Sequence, residues 1–186
     1  MKKLFLSAIL AIAGFVSTQA QVYVGGSVGV WCDNSGSKNE TTWNVLPEVG
    51  YYFNDKWAAG IEVGFSGGHR QDWEGDNAFA FRFNPYARYS FFNNDKVDLF
   101  CEGAIGVAIG NHNSRSEVTG WKDSETAFSI GLRPGIKINL TDNWSLISKL
   151  GFLGYSANDD YVVGAYQPGF GFTFDNALSL GVYYSF

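Results

Sequence analysis

The stretch Trp43-Asn44-Val45-Leu46-Pro47-Glu48-Val49-Gly50-Tyr51-Tyr52-Phe53-Asn54-Asp55-Lys56-Trp57-Ala58-Ala59-Gly60-Ile61-Glu62-Val63-Gly64-Phe65 holds the key to the fold. On both sides of Asn54-Asp55-Lys56 the odd positions are apolar or aromatic, while most even positions are glycine, glutamate, small or polar. A period of two belongs to a β-strand, since a helix would repeat its apolar face every 3.6 residues. Asn-Asp-Lys between the two runs is turn chemistry. The segment therefore reads as a β-hairpin. If Phe53 faces Trp57 across the turn, the register sets Glu48 directly opposite Glu62, two carboxylates that repel unless cations meet them.

The same parity recurs at 22–32, 79–91, 97–109, 128–140, 144–152 and 178–186, and the apolar parity carries no charged residue in any of them. The chain has 186 residues, enough for one domain with a sizeable core, and is 46% hydrophobic and 17% aromatic. After the first twenty residues no apolar run approaches the roughly 18 residues that a membrane-spanning helix needs, which excludes a helical membrane protein. A net charge of -5 argues against a nucleic-acid partner, because phosphate binding needs a basic face.

The N-terminus has the form of a secretory signal peptide. Lys2 and Lys3 precede an apolar run from Leu4 to Val16, and small residues at Thr18 and Ala20 prepare cleavage before Gln21. Residues 1–20 are thus expected to be removed, leaving 21–186 as a single domain, and the charge falls to -7 once Lys2 and Lys3 are gone.

Alternating strands suit either a soluble sandwich or a transmembrane barrel with lipid outside and polar groups within. The connections discriminate between them. Short ones, Asn54-Asp55-Lys56, Asn93-Asn94-Asp95-Lys96 and Thr141-Asp142-Asn143, alternate with long polar ones at 33–42, 67–77 and 111–125. A sandwich has no reason to sort its loops by length, whereas an outer-membrane barrel has short periplasmic turns and long outer loops. Aromatics gather at the segment ends: Phe53, Trp57, Tyr89, Phe91, Trp144, Tyr184 and Phe186 by the short turns, Trp31, Trp43 and Phe79 by the long loops. They read as the two interfacial girdles. The expected fold is all-β, an eight-stranded antiparallel up-and-down transmembrane β-barrel.

The repeated motif in Pro47-Glu48-Val49-Gly50-Tyr51-Tyr52-Phe53-Asn54-Asp55-Lys56-Trp57 and Pro134-Gly135-Ile136-Lys137-Ile138-Asn139-Leu140-Thr141-Asp142-Asn143-Trp144 is one of three marks of a known group. With the exported N-terminus and the ending Gly181-Val182-Tyr183-Tyr184-Ser185-Phe186, it resembles the small bacterial outer-membrane β-barrel proteins. That group includes the OmpA-like transmembrane domain and the porin-family barrels common in Bacteroidetes. The resemblance spans the whole mature chain. It implies residence in the outer membrane among lipid and lipopolysaccharide, and delivery to the barrel assembly machinery through the terminal Phe186. Nothing follows Phe186, so the peptidoglycan-binding role of OmpA itself is not implied, and no cofactor or catalytic motif comes with the resemblance.

Residues 162–186 admit two readings. Asp175-Asn176-Ala177 sits where a turn would make nine strands, yet Phe170, Phe172, Phe174, Leu178, Leu180, Val182, Tyr184 and Phe186 keep one parity. An even count is needed to return Phe186 to the periplasmic side, so eight strands are expected, with Asn176 at the outer edge of the apolar band.

The inward parity carries the functional information. Its ionisable members are Glu48, Glu62, Arg82, Arg88, Asp98, Glu102, Arg133, Lys137 and Lys149. Counted from the short turns and ignoring stagger, Glu48, Glu62, Arg88, Glu102, Lys137 and Lys149 share one level and form a belt. Their hairpins face each other across a lumen only wide enough for side chains, so the acidic pair is expected to meet Lys137 and Lys149. This reads as a plugged lumen in a monomeric barrel of structural or surface-interaction role. The alternatives are a narrow porin-like channel for small solutes and a lipid-modifying enzyme at the outer rim.

Catalysis rests on thin ground. The two histidines, His69 and His112, fall in separate long loops, with Asp72, Glu74, Asp76 and Ser114 near them in sequence but in no nameable motif. No metal site is read, because two histidines on separate loops without a nearby cysteine make a poor ligand set. Cys32 and Cys101 fall on lipid-facing positions far apart and are expected to stay unpaired. The outer loops hold an excess of acids, which suits solubility or divalent-cation bridging to lipopolysaccharide.

Overall fold

The computed structural model describes residues 21–33, 40–70, 77–112, 124–158, 165, 168–173 and 179–186. Its elements are β1 (Gln21–Asp33), β2 (Glu40–Tyr52), β3 (Trp57–Arg70), β4 (Asn77–Asn93), β5 (Val97–His112) and β6 (Ser124–Asn139), followed by β7 (Trp144–Lys149), β8 (Phe152–Asn158), β9 (Gly169–Thr173) and β10 (Ser179–Ser185). The ten segments make eight staves. β7 and β8 both pair with β6, while β10 pairs with β7 and β9 with β8, so each of these two couples is one interrupted stave. β1 pairs with β2 on one side and β10 on the other, and β5 with β6, so the antiparallel sheet closes on itself. β9 and β10 therefore belong with the eight-strand reading: they pair with β8 and β7 of one stave and not with each other. Asn176 itself lies outside the described residues.

Parity sorts the side chains as the sequence requires. Val63, Phe83, Ile105, Ile130 and Leu153 face outward and are between 37% and 47% exposed, while their neighbours Glu62, Asn84, Ala104 and Gly131 face in. An apolar outer face with a polar lumen is the arrangement that lipid selects, because every backbone group must be paired inside the wall. The aromatic ends pack in pairs: Trp57 on Tyr89 with centroids 4.9 Å apart and Trp144 on Tyr184 at 5.0 Å at the short turns, Trp43 against Phe79 at 6.4 Å at the other end. Phe53, Phe91 and Phe186 stand exposed on the short-turn side.

Each short turn closes on its own side chain. Asn54 Oδ1 accepts the backbone N–H groups of Lys56 and Trp57, Asn94 Oδ1 those of Lys96 and Val97, and Thr141 Oγ1 those of Asn143 and Trp144. Such local bonds are why Asn and Thr favour turns. Two differences from the sequence reading stand out. The strands run past the apolar segments into the stretches read as long loops, to Asp33, from Glu40, to Arg70, from Asn77, to His112 and from Ser124, because the ladder continues wherever partners exist and does not stop where lipid does. Secondly, Leu150-Gly151 interrupts the seventh stave: Gly135 faces Lys149 below it and Leu132 faces Leu153 above, so three steps on β6 span four on its partner. Gly151 takes the extra residue at φ 82°, a conformation that suits glycine. The bulge turns Phe152 inward, where it is 4% exposed, against the outward position its number predicts, and lets the stave continue to Asn158.

The wall is strongly staggered. From Gly50, paired residues lead one way through Gly60, Tyr86, Ala104 and Gly131 to Gly154, and the other way through Tyr23 to Ser185, whose N–H bonds Asn143. Both routes end on the same stave, at opposite ends of it. Closure of tilted strands requires such an offset.

Candidate functional site

The belt forms where the stagger brings inward charges level. Glu48 faces Glu62 across the β2–β3 ladder, Arg88 faces Glu102 across β4–β5, and Glu102 faces Arg133 across β5–β6. Lys149 enters from the seventh stave, directly below the bulge. These six side chains meet in the lumen. Arg88 Nη2 lies 2.6 Å from Glu102 and 3.2 Å from Glu48, and Arg133 lies 2.8 Å from both Glu62 and Glu102. Lys149 Nζ is 3.1 Å from Glu48 and 3.4 Å from Glu102, and it donates to Glu62 as well. Asn84 adds a donor to Glu62 at 3.1 Å. Three carboxylates and three cations, all buried, thus form one neutral layer.

Aromatic rings frame this layer on the short-turn side. Tyr23, Tyr86, Tyr183 and Phe100 are buried, and the Arg88 guanidinium lies 4.4 Å from the Phe100 centroid and within 5.5 Å of the three tyrosine centroids. Tyr183 Oη accepts from Arg88 at 2.9 Å, Tyr86 Oη donates to Glu48, and Tyr23 bonds Tyr86. A planar, weakly hydrated guanidinium suits such a box. These inward aromatics are absent from the sequence-level site, although their even or odd numbers within β1, β4, β5 and β10 already put them on the inward parity.

Two sequence-level placements need correction. Lys137 does not meet the acidic pair. It pairs instead with Asp98, directly opposite on β5, at 3.3 Å and donates to Tyr52 Oη at 3.1 Å, a level nearer the short turns. Arg133 takes its place in the belt. It stands farther from its own turn than the others, and the stagger left out of the sequence count is what brings it level with Glu102. Arg82 faces inward on the other side of the belt, beside Asn84, Ala108 and Ser156 at a void of about 10 Å3, room for about one water.

On the short-turn side the lumen opens into a cavity of about 660 Å3, lined by Tyr52 and Lys137 at its floor and by turn residues including Asp55, Asp95 and Asp142. Cys101 is a free thiol on the outward face. The side chains of Trp31, Cys32, His69 and His112, and the whole of Asp72, Glu74, Asp76 and Ser114, lie outside what the structure describes, as does the leader at 1–20.

Over residues 4–186 the chain matches the family model described as outer membrane protein beta-barrel domain. Among solved structures it is similar to the surface protein NspA of Neisseria, at 16% identity over 90% of this chain and 96% of that one, with a TM-score of 0.49. Ail, the attachment invasion locus protein of Yersinia pestis, is similar at 16% identity over 90% and 97%, with a TM-score of 0.45. A major outer membrane protein of Thermus thermophilus is similar at 14% identity over 90% and 99%, with a TM-score of 0.48. No curated protein sequence matches the chain.

Proposed function

Because the chain belongs to the outer-membrane protein β-barrel family and so resides in the bacterial outer membrane, we propose that it serves as a closed barrel, with a structural or surface-interaction role carried on its outer loops. One observation supports this reading above the rest: Glu48, Glu62 and Glu102 with Arg88, Arg133 and Lys149 fill the lumen as one neutral, buried layer. A hydrated pore would leave such charges lining water, whereas here they satisfy each other across the barrel axis. Buried ion pairs add little net stability over an apolar filling, but losing one member is costly, which accounts for their retention without any transport role.

In this reading the outward aromatic and aliphatic face contacts lipid and lipopolysaccharide, Phe186 is the handle for the barrel assembly machinery, and residues 1–20 are a leader removed on export. On the same reading the barrel works as a monomer. Planar-bilayer recording tests the central point. The unmutated protein is expected to show no steady conductance; steady ion flow through it would replace the plug with the narrow solute channel.

A further inference from the structure

The cavity at the short-turn end has a polarity of its own. Since the belt closes the lumen beyond it, a premise shared with the closed-barrel reading, it is a blind pocket of about 660 Å3, a size within the common range for small-ligand sites. Lys137 lies at the floor with its side chain 13% exposed. An ammonium has three donors, of which Tyr52 Oη takes one. Asp98 holds it by charge alone, as neither of its buried oxygens has a hydrogen-bond partner. The rim has the opposite sign. Asp55, Asp95 and Asp142, one from each short turn, all line the opening, with Lys96 beside them.

The rim is also braced. Asn93 Nδ2 donates to the Asp55 carbonyl and Asn139 Nδ2 to the Asp95 carbonyl, each at 3.2 Å, so neighbouring turns hold one another in place. Among the described residues no three acidic, His or Cys groups come close enough to hold a metal ion, so the rim carboxylates suit an extended organic ligand better than a point charge.

We propose that this pocket binds small zwitterions, free amino acids or short peptides, taken carboxylate first onto Lys137 with the ammonium toward Asp55, Asp95 and Asp142. A simple anion meets the acidic rim, and a simple amine meets Lys137 and Lys96. Only a molecule carrying both charges answers both ends of the pocket.

Amide chemical shifts of the full barrel in lipid nanodiscs test this, with glycylglycine as probe and acetate and ethylamine at matched ionic strength as controls. Glycylglycine is expected to give saturable shifts at Tyr52, Lys137, Asn139 and Ser145. Each control should bind about tenfold more weakly or worse, and Lys137→Gln should weaken glycylglycine by a similar factor. Asp142→Asn, on an exposed turn, should narrow the preference for glycylglycine over acetate, and it keeps the test open if Lys137→Gln does not fold. Shifts that stay linear to about 0.1 M, or equal responses to all three probes, overturn the proposal. Absent shifts in a non-conducting barrel would remove the site and leave the plug; saturable shifts in a conducting barrel would remove the plug and leave the site.

Discussion

Lys149→Ala is the sharpest probe of the belt. The ammonium sits within 3.4 Å of Glu48, Glu62 and Glu102, whose side chains are no more than 1% exposed. At an effective dielectric of 20, a single contact near 4 Å is worth about 4 kcal/mol of attraction, much of which offsets the desolvation of both charges. Removing one member of a buried pair typically costs about 3–5 kcal/mol, and here three carboxylates would be left with two guanidiniums. Adding Glu48→Gln restores the balance at two of each and keeps an oxygen to accept from Tyr86. The double variant should therefore recover much of the loss, with a coupling of about 0.5–3 kcal/mol. Urea unfolding in lipid vesicles, followed by tryptophan fluorescence and by the gel shift between folded and boiled barrel, measures all four stabilities. Additive effects, or a Lys149→Ala cost no larger than that of the exposed Lys56→Ala, would refute the claim that these charges neutralise one another in a dry lumen.

Three further outcomes follow from the same geometry. Arginine at Val63 or Ile105, both on the lipid-facing side, should cost about 2–4 kcal/mol in vesicle unfolding, while Asp142→Arg at a turn should be near neutral; equal costs would mean that the outer face meets water. A Cβ at Gly50 would run into the Tyr23 ring, so Gly50→Ala should lose about 1–3 kcal/mol, whereas at outward Gly103 the nearest atom is 4.0 Å away and Gly103→Ala should leave the unfolding midpoint nearly unchanged. Phe186→Ala should lower the amount of assembled barrel in cells, scored as the heat-modifiable band, while protein refolded in detergent keeps its stability; normal assembly would remove Phe186 as the handle.

Much of this architecture is legible in the amino-acid sequence. The parity of 43–65 and the turn at Asn54-Asp55-Lys56 give the register that sets Glu48 against Glu62, because a tight turn leaves no freedom to slip. The inward set can likewise be read residue by residue, since one face of a strand is fixed by counting in twos. What counting cannot supply is the relation between strands far apart in sequence. Arg133 joins the belt and Lys137 drops below it because tilt offsets distant staves, and no local pattern records that offset. The bulge at Leu150-Gly151 is similarly hidden, since a glycine beside an apolar residue is ordinary in every strand here. Once it is present, the positions of Phe152 and all residues up to Asn158 reverse with respect to their numbers. The inward tyrosines are legible as inward from their parity, but only the register across staves shows that they converge on Arg88.

The seam between β1 and β10 joins the two ends of the domain through the pairs from Tyr23↔Ser185 to Val28↔Leu180, with the Phe186 N–H bonded to the Val22 carbonyl. These contacts have the greatest sequence separation in the molecule, so no partly exported chain can make them. The first stave must wait with one bare hydrogen-bonding edge until the last arrives. Contacts of this kind make folding slow, because the chain's entropy is lost well before the closing bonds form. The unclosed sheet meanwhile offers an apolar face and an open edge to any other chain nearby. The topology thus makes the last stave the one whose arrival ends this exposure.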